Sequence, residues 1–122
     1  MTIVTLSVVS HGHGEMINAL LRDLARQSIA ASIRVILTQN IPESAPDPAA
    51  FGSLSIRIVR NPAPRGFGAN HNAALSDAAT PWVMVVNPDI RIPDTDVIER
   101  LVAHPTTIGL VAPMIRNSDG RL

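Results

Sequence analysis

Short apolar, β-branched runs recur along this chain, separated by segments of helical period or by stretches rich in Pro and Gly. Ile3 to Val9 opens the series as a buried strand. His11-Gly12-His13-Gly14 breaks it. Met16, Ile17, Leu20, Leu21, Leu24 and Ala25 then recur at helical spacing and predict an amphipathic helix over residues 15–27. Ile33 to Leu37 is a second strand, and the three prolines of residues 42–48 mark a loop. Leu54 to Val59 alternates apolar and polar residues, which suits a half-exposed strand near a sheet edge. Residues 70–79 read as a short helix, and Trp82 to Val86 as a very apolar strand behind Pro81. Asp94 or Thr95 would cap a helix running to Ala103, and Ile108 to Ala112 is a further strand. Asn117-Ser118-Asp119-Gly120 carries a strong turn signal.

The order β-α-β-β-α-β-α-β implies an α/β fold of three layers, α/β/α, around a mostly parallel sheet. In such sheets ligands bind beyond the carboxyl ends of the strands. The polar clusters at His11, Asn40, Asn61 and Asp89 all follow strands, so they should share one rim. Length favours a single domain over residues 1–122.

Lys+Arg and Asp+Glu are each 10, and this balance gives no support to a nucleic-acid surface. The absence of Cys excludes disulfides and thiolate metal sites and fits a reducing compartment such as the cytoplasm. The N-terminus lacks a basic region and is interrupted by Thr and Ser, so it reads as a strand rather than a signal peptide. No apolar run approaches the ~20 residues needed to span a bilayer.

The chemistry is concentrated in two segments, Asn61 to Asn72 and Trp82 to Asp89. Asp89 directly follows an apolar strand, with Asn87 two residues before it and Pro88 fixing the turn between them. A hard cation such as Mg2+ or Mn2+ takes oxygen ligands and often combines one or two carboxylates with substrate phosphates. Asn, Pro and Asp are equally the residues of an ordinary turn. Gly66-Phe67-Gly68-Ala69-Asn70 lacks the third Gly of a dinucleotide fingerprint and lies far from the first strand. What remains is a loop whose glycines admit close backbone approach before a helix N-terminus, with Asn70 and Asn72 adding amides. Asn70 serving as the helix cap is the plainer account. His11 and His13 form an H-x-H pair at the end of the first strand, a weak zinc signal without Cys. Thr38-Gln39-Asn40 ends the second strand in polar side chains suited to a base or ribose, and Arg65 stands where it could face a phosphate or remain a solvated charge.

Taken in order, these pieces resemble the family-2 glycosyltransferases of the GT-A fold, particularly the rhamnosyltransferase-like branch. The matching residues are Ser10-His11-Gly12, Gln39-Asn40, Asn61 with Gly66-Phe67-Gly68-Ala69-Asn70-His71-Asn72, and Val85-Val86-Asn87-Pro88-Asp89. The specific part is the Gly-Phe-Gly segment followed some twenty residues later by Asn-Pro-Asp. The resemblance implies sugar transfer from a nucleotide-diphosphate sugar to a glycan or lipid-linked acceptor, inversion at the sugar carbon, and a role in bacterial-type surface polysaccharide assembly. It makes Asp89 the ligand of a Mg2+ or Mn2+ on the diphosphate. It places Ser10, His11, Gly12, Asn40, Asn61, Arg65, Gly66, Phe67, Gly68, Asn70, Asn72 and Asn87 around the donor. It sets the protein in the cytoplasm or peripherally at the inner membrane.

Two departures qualify the resemblance. The second strand ordinarily ends in an acidic residue that grips the base, and here Thr38, Gln39 and Asn40 stand instead, which leaves the base open. Family members are also longer, with the general base beyond the Asp-x-Asp region. Asp94, Asp96 and Glu99 follow that region but sit at a helix start, where capping and the macrodipole account for them. The sequence reads as cut off in mid-domain, with a sheet edge left open to self-association. Two other readings stand beside the enzyme: a non-catalytic nucleotide-sugar-binding fragment, and a nucleotidyltransferase. The absence of Lys and Arg from residues 11–14 counts against the latter.

Overall fold

In a computed structural model, which describes residues 1–105, 107–117 and 119–121, four strands lie side by side. They are β1 (Val4–Ser10), β2 (Ile33–Gln39), β3 (Ser55–Arg60) and β4 (Trp82–Val86). Three helices accompany them: α1 (Gly14–Ala25), α2 (Phe67–Leu75) and α3 (Val97–Val102). The sheet order is β3-β2-β1-β4 and every pairing is parallel. Val4 pairs with both Ile33 and Trp82, and Gln39 pairs with both Ser10 and Arg60. This register brings the carboxyl ends of the strands to one rim. Chain order reverses about β1, whose neighbours are β2 on one side and β4 on the other, which is where such sheets open a crevice.

The two faces of the sheet differ in chemistry because β1 alternates. Val4, Leu6 and Val8 point to one side, where Ile33, Val35 and Leu37 of β2 join them. Ile17, Leu20, Leu21 and Leu24 of α1, with Ile92 and Ile98, close this side as a continuous apolar core. Thr5 and Ser7 point to the other side and are just as buried. There Thr5 Oγ1 lies 2.8 Å from Thr80 Oγ1, and Ser7 Oγ lies 2.7 Å from His71 Nδ1 of α2. The fold is therefore three-layered, with one dry interface and one polar interface.

Polar side chains tie α1 to the segment that follows β4. Asp23 is 1% exposed and its carboxylate takes four donors. Arg91 Nε and the Ile92 amide each reach Oδ2 at 2.8 Å, while Arg26 at 2.6 Å and Arg91 Nη2 at 3.1 Å reach Oδ1. Burial pushes the Asp23 carboxyl upward, but the Arg91 and Ile92 hydrogen bonds and the Arg91 and Arg26 guanidiniums outweigh it and hold it below its usual value. One turn along, Gln27 donates to Asp94 O and accepts from the Ile98 amide.

Three sequence expectations shift. The helix expected over residues 70–79 begins three residues earlier, at Phe67 behind Gly66, and ends at Leu75. Its inward residues, Asn70 and His71, are polar, so apolar spacing does not mark where it starts. Asn70 consequently lies inside the helix and is not its cap. The helix α3 has Asp96 rather than Asp94 or Thr95 at its N-cap position, because the backbones of those two are held by Gln27 and by the Ser28 amide. Residues 108–112 form no strand: a strand needs a ladder partner, none lies beside them among the described residues, and Leu110 is 86% exposed. The turn at 117–120 is present, with Gly120 at φ +86° donating to Asn117 O, while position 118 lies outside the described residues.

Asp23→Ala should cost about 1–3 kcal/mol, since it leaves the buried Ile92 amide without its acceptor. Urea unfolding measures this. The advantage of wild type over Asp23→Asn should be fully present above the unfolded carboxylate value of about 3.9 and fade as pH falls through the lower folded value.

Candidate functional site

The loop after β1 is shaped by a carboxylate from the Pro-bearing loop after β2. Ser10 Oγ donates to Glu43 Oε1 at 2.9 Å, and the Gly12 amide donates to Glu43 Oε2 at 2.8 Å. Ser10 Oγ also accepts from the His13 amide at 3.2 Å. Gly12 has φ +79°, a conformation that favours glycine, so the sharp turn depends on this residue. Ser10 and Gly12 thus fix the path of the loop. The His11 amide donates to His13 Nδ1 at 2.9 Å, which turns the H-x-H pair back on itself. Glu43 carries no sequence signal, since its two partners lie more than thirty positions upstream.

Asn40, the residue after β2, joins three separate stretches of chain. Its Oδ1 accepts from Asn61 Nδ2 at 2.9 Å, the Arg65 amide at 2.8 Å and Asn70 Nδ2 at 3.1 Å. Its Nδ2 donates to Arg65 O and to His11 Nδ1, both at 3.1 Å. Asn61 Nδ2 also reaches Asn70 Oδ1 at 2.7 Å, and Asn70 Nδ2 reaches Arg65 O at 3.2 Å. The three asparagines therefore satisfy one another and clamp the backbone at Arg65 from both its N–H and its C=O. Arg65 itself is exposed.

Beyond β4, Val86 is buried and the Ile90 amide donates to Asn87 O at 3.3 Å, closing the Asn-Pro-Asp turn. Asp89 is exposed, and the Asp23 contacts to Arg91 and Ile92 hold the chain two residues further on.

A cleft of about 460 Å³ opens between these parts. His11, Asn40, Arg65, Phe67, Asn70, Asn87 and Asp89 line it, so seven of the residues singled out by sequence converge. Ser10, Gly12, Asn61, Gly66, Gly68 and Asn72 do not line it. The first three of these are internal supports, as the hydrogen bonds above show. A Cβ added at Gly66 or Gly68 would meet no protein atom within 4 Å, so the space above them is open, and Asn72 is exposed elsewhere on α2.

Val9 and Met16, which carry no sequence signal of a site, also line the cleft, as do His13 of the H-x-H pair and His71, which the sequence offers only within the matching segment. His71 is buried, and burial pushes its imidazole below the usual value. Phe67 stands edge-on to it, with centroids 4.5 Å apart and planes at 69°. The first turn of α2 has no side-chain cap, leaving backbone amides at its N-terminus for an anion. No group of three His, Cys, Asp or Glu that could hold a metal occurs among the described residues. Asp89 and Asn87 provide an incomplete oxygen set, which suits a hard cation completed by phosphate oxygens and water.

A model of glycosyl transferase family 2 matches residues 6–120. The fold is similar to that of S. aureus TarS, solved in complex with UDP, with 19% identity and a TM-score of 0.68. That alignment covers 84% of this chain and 31% of TarS residues 1–349. It is also similar to the mannosyltransferase PcManGT from Pyrobaculum calidifontis, solved in complex with GDP-Man and Mn2+, with 20% identity and a TM-score of 0.69. There the coverage is 84% of this chain and 32% of the other. This chain thus spans about a third of the length of TarS residues 1–349 and of the mannosyltransferase. No sequence match is found among curated proteins.

Asn40→Ala should remove the acceptor shared by three donors and cost about 2–3 kcal/mol, read by urea unfolding. Hydrogen exchange at the Arg65 amide should accelerate with it. His71 should make wild type lose stability relative to His71→Gln as pH falls below about 6.5, because the unfolded chain takes up a proton there that the buried imidazole resists.

Proposed function

Because the chain belongs to glycosyl transferase family 2, we propose that its cleft holds the nucleotide-diphosphate part of a sugar donor, with Asp89 as the ligand of Mg2+ or Mn2+. One observation carries this reading: a single cleft gathers the carboxylate beyond β4, the exposed Arg65 and the uncapped start of α2. A diphosphate asks for a cation, a guanidinium and free amides; the cleft offers a carboxylate to hold the first and itself supplies the other two. When bound, the metal ion would act as a Lewis acid that offsets charge on the departing diphosphate.

The chain's own residues then divide the work. Asn87 and Asp89 present oxygen atoms to the cation. Arg65, its backbone pinned by Asn40 and Asn70, directs its guanidinium at phosphate oxygens. Phe67, 64% exposed at the start of α2, offers an aromatic face to the base or sugar. The solved complexes of a related fold with UDP, and with GDP-Man and Mn2+, support a nucleotide-sugar ligand.

Among the described residues Asp89 is the one carboxylate lining the cleft. Asp96 lies 3.6 Å from Arg100, and Glu99 accepts from the Ser28 hydroxyl at 3.0 Å. We therefore place on these residues the donor half of an inverting transfer to a glycan or lipid-linked hydroxyl, and assign no general base among them.

UDP or GDP with Mn2+ should raise the melting temperature of this chain, and Asp89→Ala should abolish the rise. At a hundredfold excess over Kd the gain is about 2.7 kcal/mol, well within reach of a thermal scan. Absence of any shift in wild type with either nucleotide would remove the basis of the donor-site reading.

A further inference from the structure

One buried polar contact joins the sheet to α2 at the cleft wall: Ser7 Oγ and His71 Nδ1, 2.7 Å apart. Ser7 is fully enclosed, and His71 is its side-chain partner among the described hydrogen bonds. A serine hydroxyl brings one proton and can also accept. If Nδ1 carried the ring proton, Ser7 would accept it and its own O–H would be left without an acceptor in a sealed site. Orphaning a buried donor costs about 1–3 kcal/mol, so the hydroxyl donates and Nδ1 accepts. A neutral imidazole has one N–H, which then resides on Nε2.

Nε2 has no protein partner among the described residues. It is not sealed either, because among the described residues the one enclosed side-chain polar atom without a partner is Gln39 Oε1. Since His71 lines the cleft, this N–H is available there. The edge-on Phe67 ring and the Ser7 bond together fix the plane of the imidazole.

We propose that His71, held by Ser7 as the Nε2–H tautomer, is a binding residue that donates a hydrogen bond to a phosphate oxygen of the nucleotide-diphosphate donor. This inference rests on the donor-site reading above. A neutral, fixed donor adds direction to the charge that Arg65 and the cation supply. It also gains strength as negative charge collects on the leaving diphosphate, the situation in which a preset donor helps most. Ser7 is a positioning residue, acting through the ring.

The test has two parts. Long-range proton–nitrogen NMR of the wild-type chain should show Nδ1 unprotonated and Nε2 protonated, with Nε2–H perturbed by UDP and Mn2+. A protonated Nδ1 in the neutral ring overturns the inference without any ligand. Calorimetric titration with UDP and Mn2+ should show His71→Phe weakening binding about tenfold or more, while His71→Gln, which restores an N–H, stays within about threefold of wild type. Ser7→Ala, which keeps the imidazole but frees its tautomer, should weaken binding by an intermediate factor. Uridine, which has no phosphate, should bind all four proteins alike. Equal UDP binding by wild type, His71→Phe and Ser7→Ala overturns the inference and leaves the donor site standing. A wild-type chain that binds neither UDP nor GDP overturns both.

Discussion

The side-chain amide of Asn40 is the point through which the rim is assembled. It lies where β2 ends, and it fixes the loop after β1 through His11, the loop after β3 through Asn61 and Arg65, and α2 through Asn70. No other common side chain would serve all of these contacts. A carboxylate could accept from the three donors but could not give the protons taken by Arg65 O and His11 Nδ1. An alkyl residue of similar volume would remove all five bonds from a site 7% exposed and take from the Arg65 amide the acceptor it finds there. The neutrality of the amide matters as well. A negative charge at this position would face any diphosphate entering the cleft.

Acidic residues are accordingly separated by task. Asp23 is spent behind the site, where it locks the chain beyond Asp89 to α1. Glu43 is spent at the side, where it sets the turn through Gly12. Asp89 alone among the described carboxylates is left on the cleft wall. Two buried or half-buried acids thus maintain the geometry that lets a third stay unpartnered and exposed.

Much of the scaffold was legible in the sequence. The strands at β1, β2 and β4 declare themselves by β-branched runs, and β4 begins and ends at the expected residues because Pro81 and Asn87-Pro88 bound it. The sharing of one rim by His11, Asn40, Asn61 and Asp89 followed from the rule that polar strand exits lie together, whereas Arg65, Phe67, Asn70 and Asn87 were offered by the family resemblance. What escaped notice has a common cause. The Ser7–His71 contact spans 64 positions and Asp23–Arg91 spans 68, and neither leaves a periodic trace. The start of α2 was misplaced for a related reason: its inner face is polar, so the apolar periodicity that marks α1 is missing. Residues 108–112 show the opposite limit, since a β-branched run states a preference that only a neighbouring strand can satisfy.

The polar interface beneath α2 bears on how this site can respond to what enters it. An apolar contact has no preferred direction and tolerates sliding by small amounts. The α2 contacts run instead through Ser7 and the asparagine cluster, and each loses most of its strength within a fraction of an ångström or a few tens of degrees. The helix is therefore indexed to the sheet, like a pawl in a toothed wheel. Its movement would come in discrete steps, each breaking one set of bonds before the next could form.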